Sequence, residues 1–287
     1  MTLKTVFAAT AASVTLALAT PALADHHKSG EKAEHSEAHE ALKMAVKSDK
    51  RGEANMSRDV WRHPMKTLKF FKVEPGMTVV DMFPGGAYYT DILVPYLGAE
   101  GSYIGALSTV PGASEEGAAR QRAFPENFTK GVAEAHAKSG ITGAPVTGYN
   151  FETLPEGIEG TVDRVLVIRM MHNFHRWDMA HDQLTKYRTM LKDDGMLGIV
   201  QHRAKADAPY SYADGNNGYM RQEDVIKLVE AHGFDLVATS EINANPNDTA
   251  DHEGGVWQIP PIWASKDEAK KAIGESDRMT LLFKKRP

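Results

Sequence analysis

Two sets of residues in this chain carry chemical potential: three histidines and one acid-turn junction. His172-Asn173-Phe174-His175 follows one apolar run, and Gln201-His202 closes another. An imidazole titrating near neutrality takes a proton from a hydroxyl or amine. Within hydrogen-bond reach, that contributes about 10²–10⁴-fold to a transfer reaction. The same three imidazoles, joined by Asp178 or Asp214, would make a donor set for a divalent metal. A third reading gives them structural work, capping loops and satisfying buried backbone groups. His172 and His202 lie nearest the ends of the apolar runs and are the candidate catalytic residues. The junction is Val79-Val80-Asp81-Met82-Phe83-Pro84-Gly85-Gly86-Ala87-Tyr88-Tyr89-Thr90. It reads as a buried strand ending in an acid, a Pro-Gly-Gly turn, and the start of a helix. Such a junction sets backbone N–H groups and a helix N-terminus against the polar end of a ligand.

The elements that position these residues alternate in type. Strands are expected over Thr78–Asp81, Tyr103–Leu107, Val146–Asn150, Asp163–Met170, Met196–Val200, Phe234–Thr239 and Met279–Phe283, each an apolar or β-branched run. Tyr89, Ile92, Leu93, Tyr96 and Leu97 recur at helical spacing, and Pro95 within that stripe predicts a short or bent helix. Helical patterns also cover Thr129–Lys138, Met179–Leu191 and Gln222–Ala231. Pro64 opens a helix that faces Met65, Leu68 and Phe71 inward, and Ser265-x-x-Glu268 reads as a capping box. Strands alternating with helices imply a mainly parallel sheet of seven strands covered on both faces, the last strand antiparallel. Ligands bind such sheets at the carboxyl ends of their strands, where the junction and the histidines both fall.

Composition narrows the possible functions. A chain of 287 residues with 42% apolar and 25% charged residues has the profile of a globular domain. A formal charge of −5 and the lack of a long basic run give no footprint for nucleic acid. Lys4 precedes an Ala-rich apolar run, and Ala22-Leu23-Ala24 has the small-x-small pattern of a signal peptidase site. Residues 1–24 are therefore expected to be a signal peptide cleaved near Ala24, with a periplasmic or secreted destination and no stable membrane anchor. There is no cysteine, hence no lipoprotein processing site and no disulfide. Residues 25–56, with His26, His27, His35 and His39 among Lys and Glu, read as a flexible leader with a frayed helix over Glu37–Lys47. The domain proper is expected over 57–287, elaborated by an insert at about 243–264. Within that insert, Trp257 and Trp263 would form a lid over a substrate or pack the insert to the domain.

The order of these pieces resembles class I S-adenosylmethionine-dependent methyltransferases. Its markers are the strand-acid-glycine turn, Asp163 opening a strand, Leu191-Lys192-Asp193-Asp194-Gly195 before the next, and Glu230-Ala231-His232-Gly233-Phe234 later. Within that class it looks most like a set of exported bacterial proteins called predicted methyltransferases, through Pro84–Tyr89 and Asp277–Lys284. The resemblance implies a Rossmann-like α/β fold, S-adenosylmethionine as cofactor and a small-molecule acceptor. It assigns Asp81, Phe83, Pro84, Gly85, Gly86 and Ala87 to the methionine end of the cofactor, and Asn150 and Phe151 to its adenine. Two features depart from the pattern. Phe83 and Ala87 stand where the group has glycines, and the second strand ends in Ala106, Leu107 and Ser108 rather than the acid that holds the ribose. An exported small-ligand or metal-binding accessory protein on the same fold is the alternative reading.

Overall fold

Seven strands form one sheet in the order β3-β2-β1-β4-β5-β7-β6. They are β1 (Thr78–Met82), β2 (Ser102–Leu107), β3 (Val146–Asn150), β4 (Val162–Ile168), β5 (Leu191–His202), β6 (Phe234–Ser240) and β7 (Arg278–Lys285). The computed structural model describes residues 36–152 and 154–287. The expected signal peptide and residues 25–35 of the leader lie outside them. Strands β1 to β5 pair in parallel, and β7 runs antiparallel between β5 and β6. This is the expected mainly parallel seven-stranded sheet with its last strand reversed.

The helices are α1 (Glu53–Met56), α2 (Asp59–Arg62), α3 (Pro64–Phe70), α4 (Thr90–Leu97), α5 (Glu115–Arg122), α6 (Phe124–Ser139), α7 (Met171–Arg176), α8 (Ala180–Met190), α9 (Tyr210–Ala213), α10 (Gln222–Ala231) and α11 (Glu268–Ile273). Alternate residues of each strand face opposite ways, and the two sets build two cores. Val80, Met82, Val165, Val167, Leu197 and Ile199 meet Phe174, Leu184, Tyr187 and Val229 of α7, α8 and α10. Val79, Tyr103, Leu166 and Val200 meet Leu68, Phe71, Ile92 and Leu93 on the other face. Gly105 in β2 makes room for α6, since a Cβ there would lie 2.2 Å from the ring of Phe128.

From residue 40 on, the leader is packed, where its composition suggested a flexible tail with a frayed helix over Glu37–Lys47. Residues 36–47 are helical, and the compact unit begins at Glu40. Leu42 is fully buried among the residues of the second core. Arg51 is 2% exposed, held by two bonds to Asp59 at 2.8 and 2.9 Å. One leucine and one paired arginine suffice to order a segment whose average composition is polar. At α11 the cap is Asp267, which accepts from the Ala269 N–H at 2.8 Å, while Ser265 donates to the Gln258 carbonyl instead.

Candidate functional site

The Pro-Gly-Gly junction forms the bend expected of it, by a route the sequence did not disclose. Phe83, Gly86 and Ala87 all have left-handed backbone, with φ of 58°, 67° and 57°. For a residue with a Cβ this costs on the order of 1 kcal/mol. Two short bonds hold it, Phe83 N–H to the Ala106 carbonyl at 2.7 Å and Gly85 N–H to the Phe83 carbonyl at 2.6 Å. The Phe83 ring turns onto Phe174, 5.8 Å between centroids, and joins the first core. A large side chain therefore occupies a glycine position without closing the bend. A Cβ built on Gly85 or Gly86 meets nothing within 4 Å.

That open backbone forms one wall of a cavity of about 510 Å³, with residues 83–87 facing Phe124, Phe128, Gly131 and Val132 of α6. The size is that of a site for a nucleoside-scale ligand. Leu107, at the end of β2, lies where the ribose carboxylate was missed. The polar groups in the lining are Asp91, Asn127 and His136, and His136 Nε2 meets Asp91 Oδ1 at 3.1 Å. Sequence reading passed over all three. Asp91 sits inside an apolar helical stripe, and Asn127 and His136 belong to a helix with no strong motif.

Asp81 is placed behind the bend rather than in it. It is 4% exposed, and its Oδ2 accepts from the Tyr103 hydroxyl at 2.9 Å. The Tyr103 oxygen lies 2.9 Å from Thr90 Oγ1, which must then be the donor. Burial raises the Asp81 carboxyl to about 7, opposed in part by the Tyr103 bond. An acid whose pKa rises on folding stabilises the native state most where both forms hold the proton, below about 3.8, and loses that contribution as pH climbs to about 7. Asp81→Asn keeps the acceptor and removes the buried charge. It should exceed the natural chain in stability by up to about 4 kcal/mol at pH 8. Urea unfolding at pH 4, 6 and 8 checks this, and a difference that does not grow with pH contradicts it.

The two adenine candidates are otherwise engaged, and neither lines the cavity. Asn150 donates to Thr109 Oγ1 and to the Gln121 carbonyl, both at 3.1 Å, tying β3 to α5. Phe151 is fully buried against Tyr149, 6.1 Å between centroids.

His172 and His202 do come together, their ring centroids 5.5 Å apart. Gln201 fixes the tautomer of the first. Its Nε2 donates to the Gly218 carbonyl at 2.8 Å, so its Oε1 faces His172 Nδ1 at 3.1 Å and requires a proton there. The free lone pair of His172 is therefore on Nε2. His202 Nδ1 meets Ser276 Oγ at 2.5 Å. Burial pushes His172 down to about 4, against the Gln201 bond, with Arg176 and Arg169 adding to the fall. Burial also lowers His202 well below the usual imidazole range, followed by His172 and the arginines at 169, 278 and 62. Both imidazoles are neutral at pH 7. Trp257 of the insert lies 6.2 Å from His172 and Tyr219 lies 6.2 Å from His202, so the insert reaches the pair. The cavity lining does not include either histidine. His175 points elsewhere, 3.1 Å from the Tyr210 hydroxyl. Among the described residues no three His, Cys, Asp or Glu side chains converge as a metal set.

No family model matches the chain, and no curated protein does. Solved structures do. A candidate sarcosine dimethylglycine methyltransferase from Galdieria sulphuraria matches with TM-score 0.50 and 12% identity, over 80% of this chain and 85% of that one. SpnF, a 4+2 cyclase, matches with TM-score 0.50 and 15% identity over 84% and 86%. A SAM-dependent methyltransferase from Aquifex aeolicus matches at TM-score 0.48 and 20% identity, over 65% and 87%. The likeness is one of architecture: this chain carries the Rossmann-like fold of the S-adenosylmethionine-dependent methyltransferases.

Proposed function

We propose that this chain is an exported methyltransferase that transfers a methyl group from S-adenosylmethionine to a small-molecule acceptor. The observation that carries the reading is the open Gly85-Gly86 bend, facing a largely apolar cavity at the carboxyl end of β1. The cofactor's chemistry is a methyl group on a sulfonium, ready for in-line displacement by a nucleophile. The chain's own contribution is placement. Backbone at Gly85 and Gly86 can approach a ligand without side-chain obstruction, Phe124, Phe128 and Val132 exclude water, and Asp91 and Asn127 offer hydrogen bonds in place of the missing ribose acid.

The acceptor side is assigned to the edge bearing His172 and His202. An imidazole lowered to about 4 is a weak base at neutral pH, so orientation carries most of the acceleration. His172 Nε2 serves as hydrogen-bond acceptor for the nucleophile's proton. The proposed destination is the periplasm or exterior, after cleavage near Ala24. No helix among the described residues is long and apolar enough to cross a membrane.

Calorimetric titration of the purified protein with S-adenosylmethionine and with its demethylated product tests the reading. Binding of one or both at micromolar to millimolar concentration is expected, and no heat with either at millimolar levels overturns it. A second reading is favoured by Leu107, which leaves the end of β2 without a carboxylate. On that reading the cavity holds a different small ligand and the protein acts as an accessory binder. A non-adenosyl molecule copurifying in stoichiometric amount would select it.

A further inference from the structure

Three arginines from distant parts of the sequence gather at the edge that carries the histidine pair. Arg62 ends α2, Arg169 follows β4 and Arg278 opens β7. Arg278 is the register partner of His202 across β5 and β7. The Arg169 N–H donates at 2.6 Å to the carbonyl of Val200, two residues before His202. A single carboxylate is bonded within the group. Glu275 accepts from Arg62 Nε at 2.9 and 3.1 Å and from Arg278 Nη1 at 2.8 Å.

The charges do not balance. Arg62, Arg278 and Glu275 are 6%, 3% and 3% exposed, so water compensates little. Asp59 is occupied by Arg51 and by the Tyr88 hydroxyl. Arg169 makes no ion pair with any described residue. Arg62 Nη2, Arg169 Nε and Arg278 Nε are buried without an acceptor. With both histidines neutral, three guanidinium groups face one carboxylate. Burial and the neighbouring Arg62 press the Arg169 guanidinium down to about 10, as expected of a cation lacking a counter-ion. A buried charge is tolerated when it is paired and hydrogen-bonded, and guanidinium groups fit oxyanions through two parallel N–H bonds.

We infer that Arg169, with Arg62 and Arg278, binds an oxyanion, a carboxylate or phosphate group carried by the acceptor beside His172 and His202. As a statement about the acceptor this rests on the methyl-transfer reading; as a statement about an anion site it does not.

The test uses the full protein at constant ionic strength, with chloride as the balancing salt. Inorganic phosphate and succinate are titrated separately by calorimetry and thermal melting. Binding at or below about 1 mM with a melting temperature raised by a few degrees is expected from at least one. Phosphate acting more strongly points to a phosphoryl acceptor, and succinate to a carboxylate. Arg169→Met should weaken that binding at least about tenfold, the loss of one charge-assisted pair. Without added phosphate or succinate the same variant should melt at or above the natural temperature, because an uncompensated cation is gone. Arg120→Met, on the exposed face of α5, should change neither result. The proposal falls if neither anion binds, if Arg169→Met binds as well as the natural chain, or if Arg120→Met loses as much. Failure of S-adenosylmethionine to bind would leave an anion response intact, so the two outcomes separate.

Discussion

Glu275→Gln should destabilise the protein by about 3–5 kcal/mol, the cost of stripping the partner from a buried ion pair. The carboxylate spans 213 residues of sequence to reach Arg62 and holds Arg278 three residues on. Without it, both guanidiniums remain buried beside Arg169 with no carboxylate bonded to them, leaving only the Tyr88 ring 4.6 Å from Arg62 and the Trp61 carbonyl that accepts from Arg278. Urea unfolding at pH 7 gives the magnitude. Adding Arg169→Met to the Glu275→Gln background should recover part of the loss, since the repulsion is shared and the two changes are not additive. A loss under about 1 kcal/mol would mean that water reaches the cluster and screens it, as it does for exposed pairs.

Gly131→Trp should weaken binding of S-adenosylmethionine by at least about 100-fold, through occupation of the space a ligand needs. Gly131 lines the cavity from α6, and a Cβ there would touch nothing within 4 Å. Its backbone is helical, so replacement relieves a glycine penalty of about 1 kcal/mol instead of creating strain. The expected signature is lost affinity with unchanged or raised melting temperature, which separates a filled cavity from a damaged fold. Affinity retained in this variant would place the ligand elsewhere.

The sheet was legible because its strands announce themselves. Val162–Ile168 and the apolar half of Leu191–His202 are dense in Val, Leu and Ile, and the turns between elements carry Gly, Pro and Asp. Helix α5 was passed over because Glu115–Arg122 has no buried residue and thus no periodic stripe. The buried leader was missed for a related reason: Leu42 and Arg51 are isolated anchors in polar surroundings, and averages hide them. The bend was found, but the direction of the Phe83 ring depends on Phe174, which is 91 positions away in the chain. The histidine pair was foreseen from strand ends alone. The arginines were not. Arg278 lies in the Asp277–Lys284 segment but was read there only as a family marker, nothing local marks Arg62 or Arg169, and only the fold brings the three together.

Strand β7 follows β6 in sequence yet sits between β5 and β6, bonded to both. Until residues 278–285 arrive, two strands present open edges, and the second core lacks Leu282 while the first lacks Met279, Leu281 and Phe283. The guanidinium of residue 278 and its neighbouring Glu275 arrive in the same stretch. Completion of the architecture and assembly of the charged edge thus depend on one short stretch, and a chain without it would keep sticky, unpaired strand edges.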